Sequence, residues 1–108
     1  MKIQLVFGLI LLISVIGGTG VQAKTAEDWI NNATTFESQE RYPQAIEAYG
    51  EALKLNTSDF STWYKEAVAL YKTERYEEAL TAIEKTTELT PENAKAWYYQ
   101  GLILGKLD

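Results

Sequence analysis

Apolar and polar positions repeat with a period of 34 residues over most of this chain. The three tryptophans, Trp29, Trp63 and Trp97, stand 34 residues apart. A small residue follows each tryptophan by four positions, and a large apolar residue follows it by seven. These residues are Ala33, Ala67 and Gly101, and then Phe36, Leu70 and Leu104. A fixed period of this length is typical of proteins built from stacked repeats. We therefore divide the chain into repeats at residues 26–59 and 60–93, with a partial third repeat at 94–108.

Within each repeat the apolar residues recur every three or four positions, as they do on one side of an α-helix. The predicted helices are α1 at residues 26–38, α2 at 43–55, α3 at 60–72, α4 at 77–89 and α5 at 94–106. Pro43 stands in the first turn of α2, where proline is tolerated. Alanines at the predicted helix contacts, Ala33, Ala45, Ala67 and Ala79, allow close approach. The pattern predicts an all-α fold, an α-solenoid of antiparallel helix pairs, in which each pair buries the apolar side of its neighbour.

These positions resemble the tetratricopeptide repeat (TPR), a 34-residue helix pair whose pattern runs from Trp through Tyr and Ala positions to Pro. The resemblance extends over residues 26–108 and includes Arg41-Tyr42 aligned with Arg75-Tyr76. It departs from the family at the consensus Leu, which is replaced by Asn32, Glu66 and Gln100, and at a late Ala, which is replaced by Thr86. The resemblance implies two full TPR units followed by the first helix of a third.

The helices that open the repeats, α1, α3 and α5, carry a second stripe on the side opposite their core residues. In α3 and α5 this stripe holds aromatic, aliphatic and lysine side chains and no acidic residue. We call it the lysine–tyrosine face, and its members are Tyr64, Lys65, Val68, Tyr71, Lys72, Lys95, Tyr98, Tyr99, Leu102 and Lys106. The same stripe of α1 is neither basic nor aromatic. Because α2 and α4 carry much of the acidic charge, the pattern predicts a basic face on an acidic body.

The resemblance implies that this face lines the concave groove of a TPR superhelix, where family members bind extended peptides. Tyrosine and lysine suit a ligand that offers a peptide backbone, an apolar side chain and a carboxylate. The alternative is that the lysines are only solvated and that the tyrosines pack against a neighbouring helix.

One known function of the family can be tested on the residues. Family members that bind the tails of heat-shock chaperones use a clamp of Lys, Asn and Arg side chains. The corresponding residues here are Ile30, Thr34, Lys65, Lys95 and Tyr99, and only Lys95 matches the clamp. We therefore expect a peptide or protein partner other than a chaperone tail.

Composition narrows the chemistry further. The chain has no Cys and no His, which excludes disulfides, thiolate metal sites and catalysis by a His base or a Cys nucleophile. It holds 15 acidic against 10 basic residues, a net charge of −5, which argues against a nucleic-acid partner. We predict a non-enzymatic scaffold with no metal and no cofactor.

A separate apolar run lies at residues 3–16, directly after the basic start of the chain. Small residues at Val21 and Ala23 fit a signal-peptidase cut after Ala23. A run of 14 residues is short for a membrane span, which needs roughly 20. We therefore predict a signal peptide at residues 1–23 and an exported, secreted TPR domain at 24–108. The alternative is an uncleaved membrane anchor at residues 3–21, with the domain again outside the cytoplasm.

Helix α5 has no following second helix to cover its apolar side chains. These are Trp97, Tyr98, Tyr99, Leu102, Ile103, Leu104 and Leu107. One side of α5 is expected to pack on α4. For the rest we consider a homodimer through residues 94–108, a longer array of which this chain is a piece, or a tolerated exposed patch.

Overall fold

The computed structural model describes residues 23–108. Five α-helices follow one another: α1 is Ala26–Ser38, α2 is Tyr42–Leu55, α3 is Phe60–Lys72, α4 is Tyr76–Leu89 and α5 is Ala94–Leu107. Each predicted helix is confirmed to within one residue at either end. Within the described residues there is no strand, so the all-α prediction is also confirmed. The predicted signal peptide at residues 1–23, apart from Ala23, and the alternative membrane anchor at residues 3–21 lie outside the described part of the chain.

Short polar side chains begin the first helix of every repeat. Thr25 accepts a hydrogen bond from the backbone N–H of Asp28, and the Asp28 carboxylate accepts one from the backbone N–H of Thr25. Asp59 and Asn93 accept hydrogen bonds from backbone N–H groups in the first turns of α3 and α5. These contacts satisfy N–H groups that have no partner within the helix. The sequence therefore sets the starting points of α1, α3 and α5 locally.

The turn inside each full repeat has the same geometry in both copies. Glu40 and Glu74 adopt positive φ angles of 58° and 63°. The next residue then donates its N–H back to the preceding helix, from Arg41 to the carbonyl of Phe36 at 2.8 Å and from Arg75 to that of Leu70 at 2.9 Å. This arrangement ends the first helix and reverses the chain, as the left-handed residue of a helix C-terminus does.

Neighbouring helices pack in chain order. α1 packs on α2, α2 on α3, α3 on α4 and α4 on α5, and α3 also contacts α5 directly. The four alanines expected at the helix contacts, Ala33, Ala45, Ala67 and Ala79, are fully buried. Trp29 and Phe36 pack on a small cluster with α2, while most other core residues form one larger cluster. The packing is that of stacked antiparallel helix pairs.

The structure shows which apolar residues of α5 are covered. Ile103 is fully buried in the core together with Ala96. Both lie on the side of α5 that packs on α4. The exposed fractions of Trp97, Leu104 and Leu107 are 48%, 45% and 36%. Within residues 23–108, this other side of α5 is therefore not covered by a further helix.

The structure accommodates polar residues at the consensus Leu position. The Gln100 side-chain oxygen accepts a hydrogen bond from the hydroxyl of the buried Thr87, at 3.1 Å. Glu66 is half-buried in a groove between α2 and α4, beside Ile46 and Leu70. Burial raises the pKa of Glu66 to about 7, and the neighbouring Glu78 carboxylate raises it as well. No helix within residues 23–108 is long and apolar enough to span a membrane.

Candidate functional site

The lysine–tyrosine face lies where α3 and α5 meet. Tyr99 is its centre, because the Tyr99 ring packs edge-on against three other rings. Its centroid is 5.8 Å from that of Tyr64, 5.8 Å from that of Tyr71 and 5.7 Å from that of Tyr98. Edge-to-face contacts at this separation are favourable beyond the area they bury. The structure thus joins tyrosines from two repeats into one aromatic surface.

Two further tyrosines lie beside this surface, and the helical periodicity did not predict them there. The Tyr76 ring packs 5.7 Å from the Tyr71 ring, and the ammonium of Lys72 lies 5.4 Å from the Tyr42 ring centroid. Tyr42 and Tyr76 are the first residues of α2 and α4. The aligned pairs Arg41-Tyr42 and Arg75-Tyr76 were the available signal. Their place beside the face depends on where the first turns of α2 and α4 lie relative to α3, which the sequence does not specify.

The aromatic surface is partly open. Tyr64, Tyr71, Tyr99, Val68 and Leu102 are half-buried, and Tyr98 is 63% exposed. Burial raises the pKa of Tyr64, and so does its neighbour Tyr99. The Tyr64 hydroxyl is therefore protonated at neutral pH and able to donate a hydrogen bond. A surface of this kind offers apolar ring faces together with polar hydroxyls.

Four exposed lysines border the tyrosines. They are Lys65, Lys72, Lys95 and Lys106. The ion pairs within residues 23–108 join Lys54 to Glu51, Arg75 to Glu78 and Lys85 to Glu88, and none of them involves these four lysines. Lys95 and Lys106 stand near opposite ends of α5, about 16 Å apart along the helix axis. Positive charge is thus spread along the face, and no described carboxylate lies within 4.0 Å of these lysine nitrogens.

Helix α1 does not extend this surface. Its corresponding stripe contains Ile30, Thr34 and Glu37, and the Glu37 carboxylate accepts a hydrogen bond from the Tyr49 hydroxyl at 2.8 Å. Burial and this carboxylate raise the pKa of Tyr49. The carboxylate of Glu37 is therefore tied to the neighbouring helix, and the candidate site consists of α3 and α5. Residues 23–108 contain no cluster of acidic side chains suited to holding a metal ion.

This chain aligns with solved structures of the same architecture, and it spans between 45% and 72% of the length of the three described here. The crystal structure of MamA protein aligns with a TM-score of 0.73 and 24% identity, over 77% of this chain and 45% of MamA. The first TPR of Spaghetti (RPAP3), bound to an HSP90 peptide, aligns with a TM-score of 0.74 and 18% identity, over 84% and 72% of the two chains. The yeast Sti1 TPR2B domain in complex with pHsp70 aligns with a TM-score of 0.71 and 23% identity, over 76% of this chain and 66% of the Sti1 domain chain. Because the sequence identities are 24%, 18% and 23%, these alignments show a shared fold and nothing further.

Sequence comparison identifies the family. No curated protein sequence matches this chain. The family model of the tetratricopeptide repeat matches twice, at residues 30–85 and 64–106. The two matches overlap and together reach from α1 into α5, which agrees with the 34-residue period and the helix-pair packing described above. This chain therefore belongs to the tetratricopeptide repeat family.

Proposed function

We propose that this chain is a non-enzymatic protein-interaction module, and that its lysine–tyrosine face binds an extended peptide. The observation that carries the proposal is the joined tyrosine surface of α3 and α5, bordered by four exposed lysines that have no ion-pair partner within residues 23–108. A peptide with an apolar side chain and at least one carboxylate fits this chemistry. Each part of the face would contact a different part of such a ligand.

The ring faces of Tyr64, Tyr98 and Tyr99 would pack against the apolar side chain of the ligand. Aromatic residues give a large contact area at low entropic cost, since few of their torsions must be fixed. The tyrosine hydroxyls would donate hydrogen bonds to peptide carbonyls. Lysines such as Lys72 and Lys95 would attract carboxylates, which speeds encounter and favours acidic over basic peptides.

Two proteins of similar fold support peptide recognition by this architecture, because the first TPR of Spaghetti is bound to an HSP90 peptide and the yeast Sti1 domain is in a complex with pHsp70. The partner proposed here differs from those ligands. Of the residues at the chaperone-clamp positions, Lys95 alone has the required type, and Ile30 and Tyr99 lack the necessary charge. We also propose, from the apolar run at residues 3–16, that the module acts outside the cytoplasm.

Fluorescence anisotropy with labelled acidic peptides, each containing one apolar residue, tests the proposal. The Lys72→Glu, Lys95→Glu double variant should weaken binding by about tenfold or more. The matched control is Lys54→Glu, Lys85→Glu, which makes the same charge change on α2 and α4. Tyr64→Ala with Tyr98→Ala should abolish binding while the helical circular-dichroism signal is retained. Equal loss in the control, or unaltered binding by the tyrosine variant, would rule out the proposed face.

The second candidate function is that of a structural homo-oligomerisation unit. It is favoured by the side of α5 that no described residue covers, where Trp97 and Leu104 are 48% and 45% exposed.

A further inference from the structure

Four residues of α5 form one stripe along the helix. Three of its positions, those of Trp97, Gly101 and Leu104, pack against a second helix in the other repeats, whereas the first position is open there too, since Phe60 is 45% exposed. We call Ala94, Trp97, Gly101 and Leu104 the α5 stripe. In the first repeat the equivalent Trp29 and Phe36 pack on α2, and in the second the equivalent Trp63 and Leu70 pack on the core with α4. Leu70 is 3% exposed, whereas Leu104 is 45% exposed. The α5 stripe is therefore a helix-packing surface that no helix within residues 23–108 covers.

The size of the side chains alternates along this stripe. Ala94 and Gly101 are small, and Trp97 and Leu104 are large. If two copies of α5 pack antiparallel about an axis near Tyr99, Trp97 of each copy lies opposite Gly101 of the other, and Leu104 lies opposite Ala94. In this register every large residue meets a small one, which is the condition for close helix packing. The stripe is thus complementary to itself.

The structure leaves room for this contact. Apart from the backbone of its own helix, a Cβ atom added at Gly101 would meet no atom of the described residues within 4 Å, so, within residues 23–108, this surface is open to a partner. The Trp97 indole N–H donates a hydrogen bond to the carbonyl of Pro91 at 2.7 Å. This bond holds the ring in place while leaving it half exposed. A large side chain that is already ordered loses little conformational freedom on binding.

Charge does not oppose self-association at this surface. The four residues of the α5 stripe are uncharged, and so are Gln100 and Gly105, which flank it. Asp108 follows Leu104 on the same side, but in this register it lies beyond Ala94, the first residue of the opposing helix. Two copies can therefore meet here without like-charge repulsion, although the whole chain carries a net charge of −5. Antiparallel packing also opposes the two helix dipoles favourably.

The first helix offers no matching apolar surface for a head-to-tail contact. The positions that carry buried Ala96 and Ile103 in α5 are occupied in α1 by Asp28 and Thr35, which are exposed. An open chain of copies would have to place the α5 stripe against this polar side. A closed two-fold pair avoids that cost, because each stripe is used once and none remains.

We propose that two copies of this chain associate through antiparallel α5 stripes, with Trp97 of each copy on Gly101 of the other. The half-exposed Trp97 and Leu104, with their flanking residues, offer on the order of 400 Å² per copy, which suits a weak dimer that depends on concentration. The lysine–tyrosine face lies on another side of α5 and stays open. The dimer would therefore present two such faces.

Sedimentation equilibrium of the purified chain between about 10 μM and about 1 mM tests the association. The mass should rise from one chain to two and stop there. Gly101→Leu should keep the chain monomeric over this range, because the added side chain meets Trp97 of the second copy. Gly105→Leu is the matched control, since Gly105 is also open but lies beyond the end of the opposing helix. A monomer at the highest concentration, a mass above two chains, or equal disruption by Gly105→Leu would overturn the proposal.

A mixing experiment tests the register itself. Trp97→Ala leaves a gap opposite Gly101, and Gly101→Leu creates a clash with Trp97, so each variant alone should dimerise at least tenfold more weakly. In a mixed pair, the shortened side chain at position 97 of one copy makes room for the leucine introduced at position 101 of the other. The second contact of that pair keeps the native Trp97 and Gly101. Energy transfer between copies labelled at their N-terminal amines should therefore appear in the mixture and not in either variant alone. No excess transfer in the mixture, with both variants folded by circular dichroism, would reject this register.

Discussion

At the scale of single residues, Glu66 has the surroundings least suited to its charge. It replaces the apolar residue of the family pattern and lies half-buried in the groove between α2 and α4. Burial raises its pKa from 4.5 to about 7, and Glu78 contributes in the same direction while Arg75 opposes it. Desolvation of the carboxylate is the leading cause, because a charged group loses favourable hydration when it is buried. At neutral pH the folded chain therefore carries a partly protonated carboxyl group here.

This pKa predicts a specific dependence of stability on pH. Between pH 4.5 and about 7 the folded chain binds more protons at Glu66 than the unfolded chain does, so the free energy of unfolding falls as the pH rises. Glu66→Gln should remove this dependence. It should stabilise the fold by about 1–2 kcal/mol at pH 8 and change it little at pH 4. Urea unfolding at the two pH values provides the measurement.

The control for this prediction is Glu84→Gln on the exposed side of α4. An exposed substitution away from caps and ion pairs changes stability by no more than about 0.5 kcal/mol. If Glu66→Gln and Glu84→Gln behave alike at both pH values, burial of the Glu66 carboxyl group does not limit stability.

At the scale of helices and turns, the two identical turns carry a measurable strain. Glu40 and Glu74 have positive φ angles, which cost a residue with a Cβ atom about 1 kcal/mol relative to glycine. Glu74→Gly should therefore raise the free energy of unfolding by about 0.5–1 kcal/mol, and Glu40→Gly should do the same. Gln39 precedes Glu40 and has a φ angle of −95°, so Gln39→Gly should bring no gain. Thermal and urea unfolding of the three variants would show whether the φ angle is the cause.

Helix α5 provides a second test, since two adjacent residues have opposite environments. Ile103 is fully buried and Leu104 is 45% exposed. Ile103→Ala should lower the free energy of unfolding by about 2–4 kcal/mol, because it leaves a cavity between α4 and α5. Leu104→Ala should cost less than about 1 kcal/mol in the monomer, since half of that side chain is already in water. Denaturant unfolding at low protein concentration separates the two, and the reverse order of losses would mean that α5 is rotated.

At the scale of the whole molecule, the two proposed interaction surfaces differ in their physical character. The lysine–tyrosine face is cationic, whereas the α5 stripe is uncharged. Raising the salt from about 50 mM to about 500 mM shortens the Debye length from about 14 Å to about 4 Å. Acidic-peptide binding should therefore weaken severalfold, while the dimer should be unchanged or slightly strengthened. Anisotropy and sedimentation in the same two buffers test this, and equal salt sensitivity of both would contradict the separation of the surfaces.

The sequence predicted the helices well because their signals are local. The 34-residue spacing of Trp29, Trp63 and Trp97 marks the repeats directly. Short polar residues cap the N-termini of α1, α3 and α5, and a proline stands in the first turn of α2. Each of these signals depends only on residues a few positions away in the chain. Helical periodicity also placed the ten residues of the lysine–tyrosine face on one side of their helices. Their shared side follows from about 3.6 residues per turn and requires no knowledge of the neighbours.

Contacts between helices could not be predicted from these local sequence signals. The contacts of Tyr99 with Tyr64 and Tyr71 depend on the distance between α3 and α5. The contacts of Tyr42 with Lys72 and of Tyr76 with Tyr71 depend on where the first turns of α2 and α4 lie relative to α3. Ile103 and Leu104 are equally apolar in the sequence, yet α4 covers only one of them. The sequence by itself determined the repeats, the helices and the sides on which charge and aromatic residues collect. The tertiary structure decided which of those side chains touch and which stay open, because burial depends on the position of a neighbouring helix that local periodicity does not specify.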